Sequence, residues 1–170
     1  MIVVYLGLGS NLGDRVANLD EAARRLAGVP GCAVLARSPL YETEPIGPPD
    51  QGWYLNAVLA VEATLTATEL LAAVKHVERI MGRQPSEHWG PRLIDVDILL
   101  YDETNLATPD LTIPHPELWN RRFALIPLAD LYPAGPLRDR ILARLEELAA
   151  TPVVRRFEAS GAAEQATGAG

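Results

Sequence analysis

Four strand-like stretches and two helix-like stretches alternate in the order β-α-β-β-α-β between Ile2 and Tyr101, and further apolar segments follow. That order predicts an α+β sandwich of the ferredoxin-like type: an antiparallel sheet with helices on one face and a C-terminal helical extension. The other sheet face and its loops are then left for ligands. A length of 170 residues fits one domain with one core, assigned here to residues 1–158. Residues 159–170 are only Ala, Gly, Ser, Thr, Glu and Gln; they cannot build a core, and a disordered tail is expected.

Ile2 to Leu8 is an apolar strand, followed by a turn from Gly9 to Asp14 with helix-start chemistry. Val16, Leu19, Ala22, Ala23 and Leu26 recur at helical spacing, and Gly28 with Pro30 closes that helix. Cys32 to Tyr41 reads as the second strand, Glu42 to Gly52 as a rigid Pro/Gly loop, and Tyr54 to Ala63 as the third strand. Thr66 or Thr68 caps a second helix whose apolar stripe is Leu70, Leu71, Val74, Val77 and Met81. A polar loop runs from Arg83 to Pro91, and Leu93 to Tyr101 is the fourth strand. Beyond it come an extended piece at Leu111 to Ile113, a turn around Pro114-His115-Pro116, and apolar segments near Phe123 to Leu131 and Ile141 to Leu148.

Composition narrows the function. Net charge is −7, against the surplus of Lys and Arg a general nucleic-acid binder needs, so no nucleic-acid partner is expected. No apolar run approaches the roughly 20 residues of a membrane helix, and the N-terminus has no basic region or cleavage site, so neither a membrane nor secretion is expected. Cys32 is the only cysteine, which leaves no disulfide framework and points to a reducing cytoplasm. Lys75 is the only lysine, so any phosphate handling must rest on arginine forks. A monomer is expected.

The most informative stretch is Arg92-Leu93-Ile94-Asp95-Val96-Asp97-Ile98-Leu99-Leu100. Alternate side chains of a strand share a face, so Ile94, Val96, Ile98 and Leu100 are expected to form one apolar face and Asp95 with Asp97 the other, about 7 Å apart. At an effective dielectric near 20 their repulsion is about 2 to 3 kcal/mol. A solvated sheet face explains many such pairs. Here Arg83, Trp89 and Arg92 crowd the same neighbourhood, which favours a divalent cation. Hard oxygen ligands suit Mg²⁺, which takes one or two carboxylates and completes its shell with water and substrate phosphates. Parity does not fix the direction of Arg92, because it follows Pro91.

Other motifs have plainer readings. Gly7-Leu8-Gly9-Ser10-Asn11-Leu12-Gly13 places its last glycine one residue late for a dinucleotide loop and reads as a strand-to-helix turn. No phosphate-binding P-loop motif occurs. His76 and His88 read as ordinary helix and loop residues, and Cys32 as a small core residue.

Five blocks in order resemble the hydroxymethyldihydropterin pyrophosphokinase family: Tyr5 to Asp14, Tyr54-Leu55-Asn56-Ala57, Trp89 to Leu99, Leu111-Thr112-Ile113-Pro114-His115-Pro116, and Asn120-Arg121-Arg122-Phe123. The resemblance implies transfer of the pyrophosphoryl group of ATP, as co-substrate, to the hydroxymethyl oxygen of 6-hydroxymethyl-7,8-dihydropterin, with release of AMP. It implies two Mg²⁺ ions on Asp95 and Asp97, and catalytic roles for Arg83, Arg92, Asp95 and Asp97. The pterin would meet Thr43, Tyr54, Asn56, Trp89, Asp95 and Phe123. ATP would meet Arg83, Arg92, Ile98, Leu111, Thr112, His115 and Arg121. The loop from Arg83 to Pro91 would close over the site. Pro85 and His88 stand where many relatives carry arginine, and Asp110 where they often carry a basic residue, so this chain's loop is less basic. Two other readings stay open: a phosphotransferase that uses His115 covalently, and a non-catalytic nucleotide- or RNA-binding module.

Overall fold

The computed structural model describes residues 1–47, 50–82 and 93–158. Its strands are β1 (Ile2–Ser10), β2 (Cys32–Arg37), β3 (Tyr41–Thr43), β4 (Tyr54–Ala63), β5 (Asp95–Tyr101), β6 (Leu106–Ala107), β7 (Thr112–Ile113) and β8 (Val154–Arg156). Its helices are α1 (Arg15–Ala27), α2 (Ala67–Ile80), α3 (Arg122–Leu131) and α4 (Pro136–Glu147), with a 3-10 turn at Leu118–Asn120. The main sheet runs β5-β1-β4-β3-β8, with β2 also on β4, and these pairings are antiparallel.

Local chemistry sets the helix starts. Asp14 caps α1 by accepting from the Ala17 N–H at 3.0 Å. Thr66, not Thr68, caps α2, and Glu69 returns the bond in a capping box. Pro136 at the first turn opens α4 earlier than its apolar pattern suggests.

The sheet separates two cores. Leu6, Leu8, Leu55, Leu59, Val61, Val96 and Ile98 pack with α1 and α2 through Leu19, Leu26, Leu70 and Val74. On the other face, Tyr5, Val58, Leu99 and Leu100 pack with Leu125, Leu128 and Ile141 from α3 and α4. The expectation of helices on one face is therefore corrected: the C-terminal helices cover part of the second face, and only the remainder is open to a ligand.

Three strand details differ from the sequence reading. β1 continues through Gly9 and Ser10, because both pair with β4 and Gly9 also pairs with Asp95, so the ladder overrides the turn tendency of glycine. The second strand is broken into β2 and β3 around Pro39. There Ser38 Oγ accepts from the Val58 N–H at 2.9 Å and donates to the Pro39 carbonyl at 2.8 Å. In β5, Tyr5 pairs with Leu100 but Leu6 with Ile98, so Leu99 is the extra residue of a bulge. The bulge breaks parity: Leu99 and Leu100 both enter the second core, and Leu100 leaves the face shared by Val96 and Ile98.

The short strand β8, absent from the sequence reading, pairs with β3 and brings Arg155 to Glu42, which Arg15 holds from the other side at 2.7 Å. Burial opposes the charged form of Glu42, but hydrogen bonds from Arg15 and Arg155 outweigh it and hold the carboxyl below the usual range. A depressed folded-state pKa contributes stability above the unfolded value of about 4.3 and loses it as pH falls through the folded value. Urea midpoints measured from about pH 7 to about pH 3 should therefore fall on acidification. Glu42→Gln should start from a lower neutral midpoint and show a shallower acid fall.

Candidate active site

Where the C-terminal helices stop, the second sheet face opens into a cavity of about 270 Å³. Its floor is a row across three strands. Gly9 of β1 lies between Asp95 of β5 and Asn56 of β4, and Gly7 lies between Asp97 and Val58. Neither glycine puts a side chain into the gap. A Cβ on Gly9 would stand 3.0 Å from Asn56 Nδ2, and one on Gly7 would stand 3.4 Å from the Leu99 side chain. Asp95 and Asn56, two strands apart, are thus separated by about 10 Å of open floor.

One wall is amide chemistry. Asn56 and Thr43 are buried, and the Thr43 hydroxyl donates to Asn56 Oδ1 at 2.7 Å. That bond fixes the amide orientation. Nδ2 donates only weakly to the Leu8 carbonyl at 3.5 Å, so the side chain keeps donor and acceptor capacity for a flat polar ligand. Tyr54, Glu44 and Ile46 continue this wall, and Phe123 and Leu118 line the other.

The acidic end is electrostatic. Arg121 Nη1 lies 3.8 Å and His115 Nε2 3.9 Å from the Asp97 carboxylate, which is 47% exposed. Both are beyond hydrogen-bond length, and such a loose, wet pair is worth about 0 to 1 kcal/mol. The His115 backbone N–H donates to the Leu99 carbonyl at 3.0 Å, which ties this turn to β5. Its Nδ1 accepts from the Glu117 N–H at 3.1 Å, which assigns the ring proton of the neutral form to Nε2, on the side of Asp97. Burial pushes the His115 imidazole below its ordinary value; Asp97 and Glu117 pull the other way, and Arg121 adds to the depression. Arg121 leads into α3, and its guanidinium lies 5.6 Å from the Phe123 ring centre. The turn that presents it is held from α4, where Arg144 donates to the Trp119 carbonyl at 2.8 Å and to Asn120 Oδ1 at 3.1 Å.

Thr43, Tyr54, Asn56, Asp95, Asp97, His115, Arg121 and Phe123 all line this cavity. Ile98 does not: its side chain is buried on the far side of the sheet, in the core under α1 and α2. Leu111 packs against that same core, and Thr112 is exposed on β7; neither lines the cavity. Arg83, Trp89 and Arg92, with the rest of the loop to Pro91, lie outside the described residues. The sequence reading overlooked Gly7 and Gly9 as the floor, and Glu44 and Ile46 as wall. Two glycines at period two inside an otherwise bulky strand were the available signal, since such glycines mark a close approach to the backbone.

Residues 5–133 match the model of the 7,8-dihydro-6-hydroxymethylpterin-pyrophosphokinase (HPPK) family. The chain belongs to the HPPK family. It is 44% identical over 133 residues to the 2-amino-4-hydroxy-6-hydroxymethyldihydropteridine pyrophosphokinase of Methylorubrum extorquens, across 78% of this chain and 84% of that one. The protein of the same name from Pseudomonas aeruginosa is 41% identical over 136 residues, across 80% and 84%. That of Bacillus subtilis is 39% identical over 129 residues, across 76% and 77%. Among solved structures, the HPPK-DHPS of Plasmodium falciparum superposes with a TM-score of 0.61 at 16% identity, covering 86% of this chain and 45% of that one. At that identity the likeness is one of fold.

The glycine floor is directly testable. Gly9→Ala should displace the Asn56 amide and disturb its bond to Thr43, lowering stability by about 1 kcal/mol, the net contribution of one hydrogen bond. Gly7→Ala, whose Cβ meets the Leu99 side chain at 3.4 Å, should lower stability less. Urea unfolding of both variants checks the order.

Proposed function

We propose that the cavity performs the HPPK reaction with its pterin end at Asn56 and its phosphate end at Asp97. The enzyme is an ATP-dependent pyrophosphokinase of folate biosynthesis. The bond that forms joins the hydroxymethyl oxygen to the β-phosphorus of ATP. The bond that breaks joins that phosphorus to the α-phosphate oxygen, so AMP leaves. The observation that carries the site assignment is the single floor linking a buried, pre-oriented amide to two carboxylates across glycines.

A flat heteroaromatic needs a slot and a few placed hydrogen bonds. Phe123 and Tyr54 supply apolar surface, and Asn56 with Thr43 supplies the polar edge. At the other end, Arg121 contributes fixed positive charge and His115 an Nε2–H donor. Because both hold Asp97 only loosely, they can turn to phosphate oxygens at small cost. Ile98, Leu111 and Thr112 would act on the nucleotide through backbone or by shape, since their side chains do not enter the cavity. By family resemblance, Arg83 and Arg92 complete the phosphate grip and Trp89 closes over the pterin.

Asp95 and Asp97 would hold the two Mg²⁺ ions. The donor set fits: both are hard oxygen ligands and both line an open cavity. Magnesium held there would neutralise phosphate charge. The protein's own part is positioning, with Asp95 between the two substrates.

Counting β2 and β3 as one interrupted strand, we read the sheet as ferredoxin-like. No helix among the described residues is long and apolar enough to cross a membrane. A cytoplasmic monomer completes the proposal.

Incubation with ATP, Mg²⁺ and hydroxymethyldihydropterin should yield AMP; ADP with a phosphohistidine would overturn the reading. Asp95→Asn and Asp97→Asn should each lower kcat at least about a hundredfold, the scale of losing one electrostatic contact to a transition state. Full activity in both would remove the metal assignment. Asn56→Ala should raise the KM for pterin far more than the KM for ATP.

A further inference from the structure

β8 lies C-terminal to the 5–133 stretch that carries the family resemblance, yet it grips the pocket wall from behind. Thr43 and Glu42 are neighbours on β3, so the pleat sends one into the cavity and the other away from it. β8 takes hold of that back side. Its residues pair in register as Arg156 with Tyr41, Arg155 with Glu42 and Val154 with Thr43. At one end the Glu44 N–H donates to the Val153 carbonyl at 2.9 Å, and the Val153 N–H donates to Glu44 Oε2 at 3.1 Å. At the other end the Phe157 N–H donates to the Leu40 carbonyl at 2.8 Å.

Arg155 is the centre of this contact. Its Nε and Nη2 donate to Glu42 Oε2 at 3.1 and 2.9 Å, while Arg15 Nη2 donates to Glu42 Oε1 at 2.7 Å. The Glu42 side chain is only 13% exposed, so these charge-assisted bonds are partly desolvated. The Arg155 guanidinium also stacks 4.2 Å from the centre of the Trp53 ring, and Arg15 Nη1 donates to the Trp53 carbonyl at 2.9 Å. One cluster therefore holds both ends of the segment from Glu44 to Trp53. That segment supplies Glu44 and Ile46 to the cavity wall and delivers the chain to Tyr54.

The hold matters because β3 is only three residues long. Three ladder positions on β4 restrain it weakly; a second partner on its outer edge makes it an interior strand. Thr43, which orients Asn56, is the last residue of β3 and lies between Tyr54 of β4 and Val154 of β8. Pre-ordering a wall before the ligand arrives removes an entropic cost from binding.

We propose that β8 is a positioning strap for the pterin wall, with Arg155 as its positioning residue acting through Glu42 and Trp53. This rests on the assignment of the Asn56 end to the pterin. Among the described residues β8 makes no hydrogen bond or ion pair to Asp97, His115 or Arg121, so its effect falls first on pterin recognition and less on the phosphate end.

The test compares Arg155→Met, which keeps the stem, with Arg155→Lys, which keeps the charge but loses the fork. Arg155→Met should raise the KM for pterin about five- to tenfold, with the KM for ATP and kcat changed by less than about twofold. Hydrogen exchange at the amides of Thr43, Glu44 and Trp53 should accelerate, and Arg155→Lys should recover part of both effects. Unchanged pterin KM and unchanged exchange, or an equal rise in both KM values, would overturn the strap. Asn56→Ala in the same assay separates the two claims. If it leaves the pterin KM untouched, the pocket assignment fails and the strap's effect on pterin fails with it. If it raises that KM and Arg155→Met does not, the strap alone fails.

Discussion

Two carboxylates share one face of β5 beside a strand that offers them no side chains. This constraint organises the rest. Asp95 and Asp97 carry like charge about 7 Å apart, and Arg121 and His115 stand beside Asp97. Gly9 and Gly7 opposite them leave a trough where any larger residue would fill the space or push Asn56 aside. The trough runs across the sheet, so groups on different strands can act on one extended substrate pair. A sheet gives such a row fixed spacing, because strand separation is set by backbone hydrogen bonds and not by side-chain choice.

The walls come from elements that also make the second core. α3 and α4 bury Leu125, Leu128 and Ile141 against one part of the sheet face and stop short of the acids. Their placement delivers Arg121 and Phe123 to the rim. The 3-10 turn ahead of α3 is anchored by the fully buried Leu118 and by Arg144 from α4. Packing energy thus holds the polar site in shape, and the polar groups themselves contribute little stability. Tyr41, whose hydroxyl donates to Asp130, joins β3 to α3. Opposite walls of the cavity are therefore connected through α3.

Electrostatics divides the site into a committed part and an uncommitted part. The Thr43–Asn56 bond is short and buried, so that amide is set before any ligand arrives. Arg121 and His115 rest near Asp97 at distances too long for hydrogen bonds, in partial contact with water. The first arrangement is held before any ligand arrives, while the second leaves its cationic side chains free to change partners at small cost. Glu42 belongs to the committed class, although it lies behind the wall and not in the cavity.

The sequence determined a helix start in the turn ending at Asp14, a cap at Thr66 or Thr68, the strand at Tyr54–Ala63, and the pairing of Asp95 with Asp97 on one face, because these follow from nearest-neighbour chemistry and a two-residue period; the structure chose Thr66. The family blocks also made Asn56, His115, Arg121 and Phe123 legible. Tertiary structure alone decided the bulge at Leu99, which moved Leu100 to the other core, and the extension of β1 through Gly9. It also decided the second helical layer and the attachment of β8 to β3. Each of these depends on hydrogen bonds or packing between segments far apart in the chain, and such energies leave no periodic signature in either segment read by itself.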